Sequence, residues 1–187
     1  VFQASAPLFV FADTDIFAKA PARLTAAGVS DILGKYIALA DWKIASILMD
    51  EYYCTAVADL ETKAIRTVKD NLKEIAAGEK DACEKLMYAL ILSGLAMQMT
   101  GNSRPASGAE HHMVHLWDME VVNGHLDALH GEKVSAATML VLLEYKKLAD
   151  AIRRGACRVH VFTDGDRELL QETFGRKGIL GALEKEN

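Results

Sequence analysis

The chain has 187 residues, 51% of them hydrophobic and 25% charged, with a formal net charge of -5. That length suits one domain with a proper hydrophobic core, and the acidic balance argues against a nucleic-acid partner, which would favour a basic stripe. No apolar run approaches the roughly 18 to 20 residues that a membrane span needs. The start, Val1-Phe2-Gln3-Ala4, lacks the basic segment of a signal peptide, so a cytoplasmic protein is expected. Cys54, Cys83 and Cys157 are odd in number and widely spaced, which fits free thiols better than a disulfide framework or a thiolate zinc site.

In chain order, the apolar and partly β-branched run over residues 8–12 predicts a buried strand. Asp15 suits the cap of a short turn before Pro21, Gly28 a stop for the segment 22–27, and Ser30 the cap of a long helix from Asp31 to about Met49. Further helices are expected over 55–76, 79–99, 108–122 and 133–153, with a weaker one over 166–174 and a short piece beyond Gly178. Gly78, Gly101-Asn102, Asn123-Gly124 and Gly155 punctuate them. The fold class is therefore mainly α, with one orphan strand. A lone strand cannot satisfy its own backbone donors and acceptors, and the one other strand-like run is 158–163. Either the strand belongs to a sheet upstream of Val1, or it is an extended arm lying on the helices.

Five of the six histidines fall between positions 111 and 130. Histidine is the commonest metal ligand and a proton carrier near neutral pH. Ser107-Gly108-Ala109-Glu110 has the form of a capping box and places a helix start at about Gly108. On that helix His111 and His115 share a face, Asp118 continues the stripe, and His112 points away. His130 begins the next helix, and an antiparallel pair would bring it beside His111. Two imidazoles need one more donor to complete a three-ligand site with an open position. Asp31, in the first turn of its expected helix and followed at i+4 by Lys35, is the candidate. These features point to a metal site. They leave open whether it is catalytic or part of a helical interaction domain.

The strings Ser103-Arg104-Pro105-Ala106-Ser107-Gly108-Ala109-Glu110-His111-His112 and Leu129-His130-Gly131-Glu132 resemble the metal-binding C-terminal domain of the glycerol-1-phosphate dehydrogenases. These are a branch of the iron-containing alcohol dehydrogenase and glycerol dehydrogenase superfamily, related to dehydroquinate synthase. The likeness extends through Ala26-Ala27-Gly28-Val29-Ser30-Asp31-Ile32-Leu33 and Ala40-Asp41-Trp42-Lys43, covering roughly residues 8 to 150.

The resemblance implies a helical domain of the dehydroquinate synthase-like fold over 28–187. Residues 1–27 would then be a remnant strand and crossing segment from a nucleotide-binding α/β domain that this sequence lacks. It implies a divalent metal on Asp31, His111 and His130, with His115 binding substrate or relaying a proton. Iron-dependent relatives carry a fourth ligand, a histidine, where Lys35 stands, which favours zinc, with nickel and iron as the alternatives. NAD or NADP would act as cofactor, and a small phosphorylated ketone or triol as substrate. Arg104, Lys35 and Lys133 are the substrate-binding candidates, and Asp118 would orient a histidine from the second shell. Glycerol dehydrogenase and dehydroquinate synthase are the alternative branches, the latter using glutamate at the position of Asp31. A homo-oligomer, formed through an exposed apolar face, is a further expectation.

Overall fold

One 27-residue helix organises the chain. In this computed structural model residues 6–118, 127–158, 168–169 and 171–172 are described, and the elements among them are all helical. They are α1 (Thr14–Ala18), α2 (Ala22–Leu48), α3 (Thr55–Asp70), α4 (Leu72–Ala76), α5 (Lys80–Thr100), α6 (Ala109–Asp118) and α7 (His130–Arg153). The expected turn at Asn123-Gly124, the end of the helix over 108–122, the strand-like run 159–163 and the piece beyond Gly178 lie outside the described residues. Most of the weaker helix over 166–174 does too.

The strand expected over residues 8–12 is not formed. No strand among the described residues offers it a ladder, and Leu8, Phe9, Val10 and Phe11 are all exposed. The segment is instead an extended arm beside α5, where Leu8, Phe9 and Val10 line a shallow groove with Ile91 and Leu95. Asp13, not Asp15, caps α1: its Oδ1 accepts the N–H groups of Asp15 and Ile16 at 2.9 and 3.3 Å.

Neither Gly28 nor Ser30 marks a helix end, because α2 runs through both. One interior glycine costs a helix only about 1 kcal/mol, too little to stop a segment rich in alanine and other good helix formers. The missing side chain is used in packing: a Cβ at Gly28 would stand 3.4 Å from Cδ1 of Leu90 on α5. The predicted helix over 55–76 divides at Asn71. There Oδ1 of Asn71 accepts from Lys85 Nζ at 2.7 Å, and the backbone restarts as α4.

α2 packs against α3, α5, α6 and α7. Its buried Ile32 meets Ala64, Ile65 and Val68 of α3 and Leu86 and Ala89 of α5. Toward its other end Trp42 is buried against Val57, Ala58 and Ala96, with its indole N–H donated to the Tyr52 carbonyl at 2.8 Å. A smaller cluster of Val114, Val134 and Ala137 joins α6 to α7. Burial of these apolar groups holds the helices in place, and α2, α6 and α7 converge where the histidines lie.

Candidate metal centre

Three helices each deliver one side chain. Asp31 lies on α2, His111 in the first turn of α6, and His130 is the first residue of α7. The start of α6 does not form the expected capping box. The Ser107 N–H is donated to the Ser103 carbonyl, and the α6 donors turn elsewhere. Asp41 of α2 caps the helix from across the interface, its Oδ2 accepting the Ala109 N–H at 2.7 Å. This requires close approach: a Cβ on Gly108 would lie 2.8 Å from Cα of Ala38. Tyr145 of α7 donates its hydroxyl to the other oxygen of Asp41, so one carboxylate ties α2, α6 and α7 together.

Glu110, freed from capping, is fully buried. Its Oε1 accepts the Gly108 N–H at 3.1 Å and lies 2.7 Å from Nδ1 of His111. A carboxylate at that distance places a proton on Nδ1 and leaves the Nε2 lone pair of the neutral ring free to bind a cation. Nε2 of His111 lies 3.4 Å from Oδ1 of Asp31 and 3.3 Å from Nε2 of His130, and His130 Nε2 to Asp31 Oδ1 is 3.6 Å. Zinc–ligand bonds of about 2.0–2.1 Å at tetrahedral angles place donor atoms about 3.3–3.4 Å apart. The three donors therefore have the spacing and the chemistry to share one divalent ion.

Electrostatics hold Asp31 and His130 in the ionisation that metal binding draws on, and His111 in the protonated form that a metal must displace. Burial disfavours the Asp31 carboxylate, but the contacts with His111 and the Lys35 ammonium outweigh it and hold the pKa at about 2. Burial also opposes protonation of His111, yet the bonds to Asp31 and Glu110 prevail and raise it to about 8. For His130 burial wins and the pKa falls below the ordinary value. Where a cation is absent, a proton on His111 partly takes its place. A metal must displace that proton.

The remaining expected residues fall into different places. Lys35 is buried, with Nζ 3.0 Å from Asp31 Oδ2 and 3.5 Å from the Ala106 carbonyl. His115 is exposed, its ring edge-on to His111 with centroids 6.4 Å apart. Asp118 pairs with Lys133. Arg104 forms a forked pair with Glu51, at 2.7 Å through Nε and 2.6 Å through Nη2. It lines a groove with Asp41, His112 and Tyr145, a set that does not include the three donors. Sequence reasoning missed Glu110 as the partner of His111, although their adjacency was visible. It also missed Asp41, whose pairing depends on how closely α2 and α6 approach.

The chain is similar along most of its length to proteins named glycerol-1-phosphate dehydrogenase [NAD(P)+]. The one from Geobacillus thermodenitrificans is 37% identical over 98% of this chain and 48% of the relative. That from Halalkalibacterium halodurans is 44% identical over 79% of the chain and 37% of the relative. The chain corresponds to part of the glycerol-1-phosphate dehydrogenases, consistent with a C-terminal domain of that family. The relative from Bacillus subtilis is 40% identical over 92% of the chain and 43% of its own length. The chain thus spans less than half the length of the curated family members it matches. No family model matches it. The three cysteines are free, and no described helix is long and apolar enough to cross a membrane.

Proposed function

We propose that this chain is the metal- and substrate-holding part of an NAD(P)-dependent sn-glycerol-1-phosphate dehydrogenase. The complete enzyme would reduce dihydroxyacetone phosphate to glycerol 1-phosphate. The observation that carries this reading is the convergence of Asp31, His111 and His130 from three helices at spacings suited to one ion. Three ligands with an open fourth position suit a catalytic rather than a structural site, and Lys35 in place of a fourth donor supports zinc. The bound ion supplies Lewis acidity toward the substrate carbonyl and the charge that develops on its oxygen during hydride transfer.

This chain's own residues do the rest. Glu110 holds the His111 ring in the tautomer that presents Nε2. Lys35 keeps Asp31 ionised and oriented. His115, exposed beside His111, supplies or orients the proton for the product hydroxyl. Lys133 follows His130 by less than one turn and contacts the substrate phosphate. Arg104 does so once its pairing with Glu51 is exchanged for the anion.

Residues 1–27 serve as the connection from the nucleotide-binding domain, a reading supported by the greater length of the relatives. Exposed Met139, Leu140 and Leu143 on α7 support association with a further apolar surface, either that domain or a second copy.

Metal content by mass spectrometry, set against a His111→Ala, His130→Ala variant, tests the assignment. Near-stoichiometric zinc or nickel in the parent and its loss in the variant is the expected result. A parent that takes up neither metal would overturn it. No reduction of dihydroxyacetone phosphate is expected from this chain alone, since the nicotinamide site belongs to the other domain, and detectable turnover would refute that division of labour.

A further inference from the structure

Asp31 and His130 meet only if the first turn of α7 is seated correctly on α2, and α2 carries a row of residues that seats it. Arg23, Ala27 and Asp31 are spaced four apart and share one face of the helix. Three consecutive residues of α7 answer them. His130 faces Asp31. Gly131 lies against Ala27 so closely that a Cβ there would stand 1.9 Å from the Ala27 carbonyl oxygen. Glu132 takes both prongs of Arg23, Nε to Oε1 at 2.6 Å and Nη2 to Oε2 at 2.8 Å. Oε2 of Glu132 also accepts the Leu129 N–H at 2.8 Å, and Nη2 of Arg23 reaches the Asp127 carbonyl at 3.4 Å.

We propose that Arg23 is a positioning residue of the metal centre: through Glu132 it fixes the turn 127–132 and so aims the His130 imidazole at Asp31 and His111. This rests on the reading of those three side chains as metal ligands.

The Arg23–Glu132 pair is half exposed, at 54% and 35% of the side-chain surface, and exposed ion pairs add little to stability. Its effect is geometric. The guanidinium fork grips both carboxylate oxygens in one plane, and the same carboxylate orders the backbone immediately before His130. Because His130 is itself half exposed, packing alone does not fix its ring. A misaimed third ligand costs affinity without unfolding the chain.

The test titrates the metal-free chain with cobalt, whose visible absorption reports the geometry of the donors. Arg23→Gln is expected to weaken cobalt binding by about tenfold, in the range seen for outer-sphere partners of metal ligands, and to alter the absorption bands. Arg23→Lys, which keeps the charge and loses the fork, should be nearly as weak. Adding Glu132→Gln to Arg23→Gln should cost little more, because the two act as a unit. Gly131→Ala is the harsher probe, and if it does not fold the Arg23 variants carry the test. Arg23→Gln with a lowered melting temperature but the parent's cobalt affinity and spectrum would overturn the proposal and leave the metal site standing. A parent that binds no cobalt would overturn the metal reading, and the positioning role with it.

Discussion

Nε2 of His111 and Nε2 of His130 lie 3.3 Å apart, although the residues are 19 positions apart and sit on different helices. With Nδ1 of His111 committed to Glu110, its Nε2 faces Asp31 Oδ1 as lone pair toward lone pair unless a cation or proton lies between. The arrangement therefore costs free energy when both are absent. Helix packing maintains it nonetheless, since His111 and His130 are carried by α6 and α7, joined through Val114, Val134 and Ala137.

Glu110→Gln keeps the size of this buried side chain and removes its charge. The Nδ1–H bond becomes a neutral one, His111 becomes a poorer donor, and zinc affinity should fall by about ten- to a hundredfold. The fold should persist, because the amide oxygen can still accept from Gly108. Competition with a chelator of known affinity measures it. Unchanged affinity would mean that the Glu110–His111 contact does not tune the ligand.

Asp31→Ala removes the proposed ligand and the carboxylate bonded to Lys35, whose remaining hydrogen bond among the described residues is to the Ala106 carbonyl at 3.5 Å. A buried ammonium without its hydrogen-bonded carboxylate is costly, so a loss of about 3 kcal/mol is expected in urea unfolding of the metal-free chain, the lower part of the range because Asp31 is partly exposed and Glu61 still attracts the charge. Asp31→Ala combined with Lys35→Met should recover most of that stability and none of the zinc binding. Recovery of both would show that the carboxylate is not a ligand.

The helices and the three donors were legible in the sequence to different depths. The i,i+4 relation of His111 and His115 follows from periodicity within one element, and Asp31 stood out chiefly through the family resemblance. Gly28 was misread because its cost to α2 is small and the Leu90 contact it accommodates is tertiary. Glu110 was taken for a capping residue because the spacing from Ser107 fits. The cap instead comes from Asp41, 68 positions away, and no local pattern reports that. The strand expected over residues 8–12 failed for a related reason: its apolar pattern is real, but a ladder needs a second strand, and the described residues contain none.

The pH dependence of the metal-free chain carries the mark of His111. Its folded pKa, raised to about 8, exceeds the 6.5 of an ordinary imidazole, so the folded state holds the proton more tightly. The resulting stabilisation is complete below about pH 6.5 and is lost as pH rises through about 8. With chelator present, urea midpoints should therefore decline between pH 6.5 and 8.5, and His111→Gln should flatten the decline. With zinc the trend reverses, because protons compete with the ion and affinity grows as His111 deprotonates. An apo midpoint that stays level across this window in the parent would remove His111 as the titrating group.

Glu61 presents the opposite case. It is fully buried on α3, and among the described residues neither carboxylate oxygen has a hydrogen bond within ordinary distance. Burial pushes its pKa up, with Ser93 and Lys35 pulling back only in part. An acid whose folded pKa is raised is destabilising once pH exceeds its unfolded value, because folding then buries a charge. Glu61→Met, similar in volume and apolar, should stabilise the metal-free chain by about 1–2 kcal/mol at pH 8. Below about pH 4.5 that gain should shrink, since the acid is neutral there in both states. Urea unfolding at the two pH values decides it. A Glu61→Met chain less stable than the parent at pH 8 would mean that the buried carboxylate is needed, most directly as a counter-charge to Lys35.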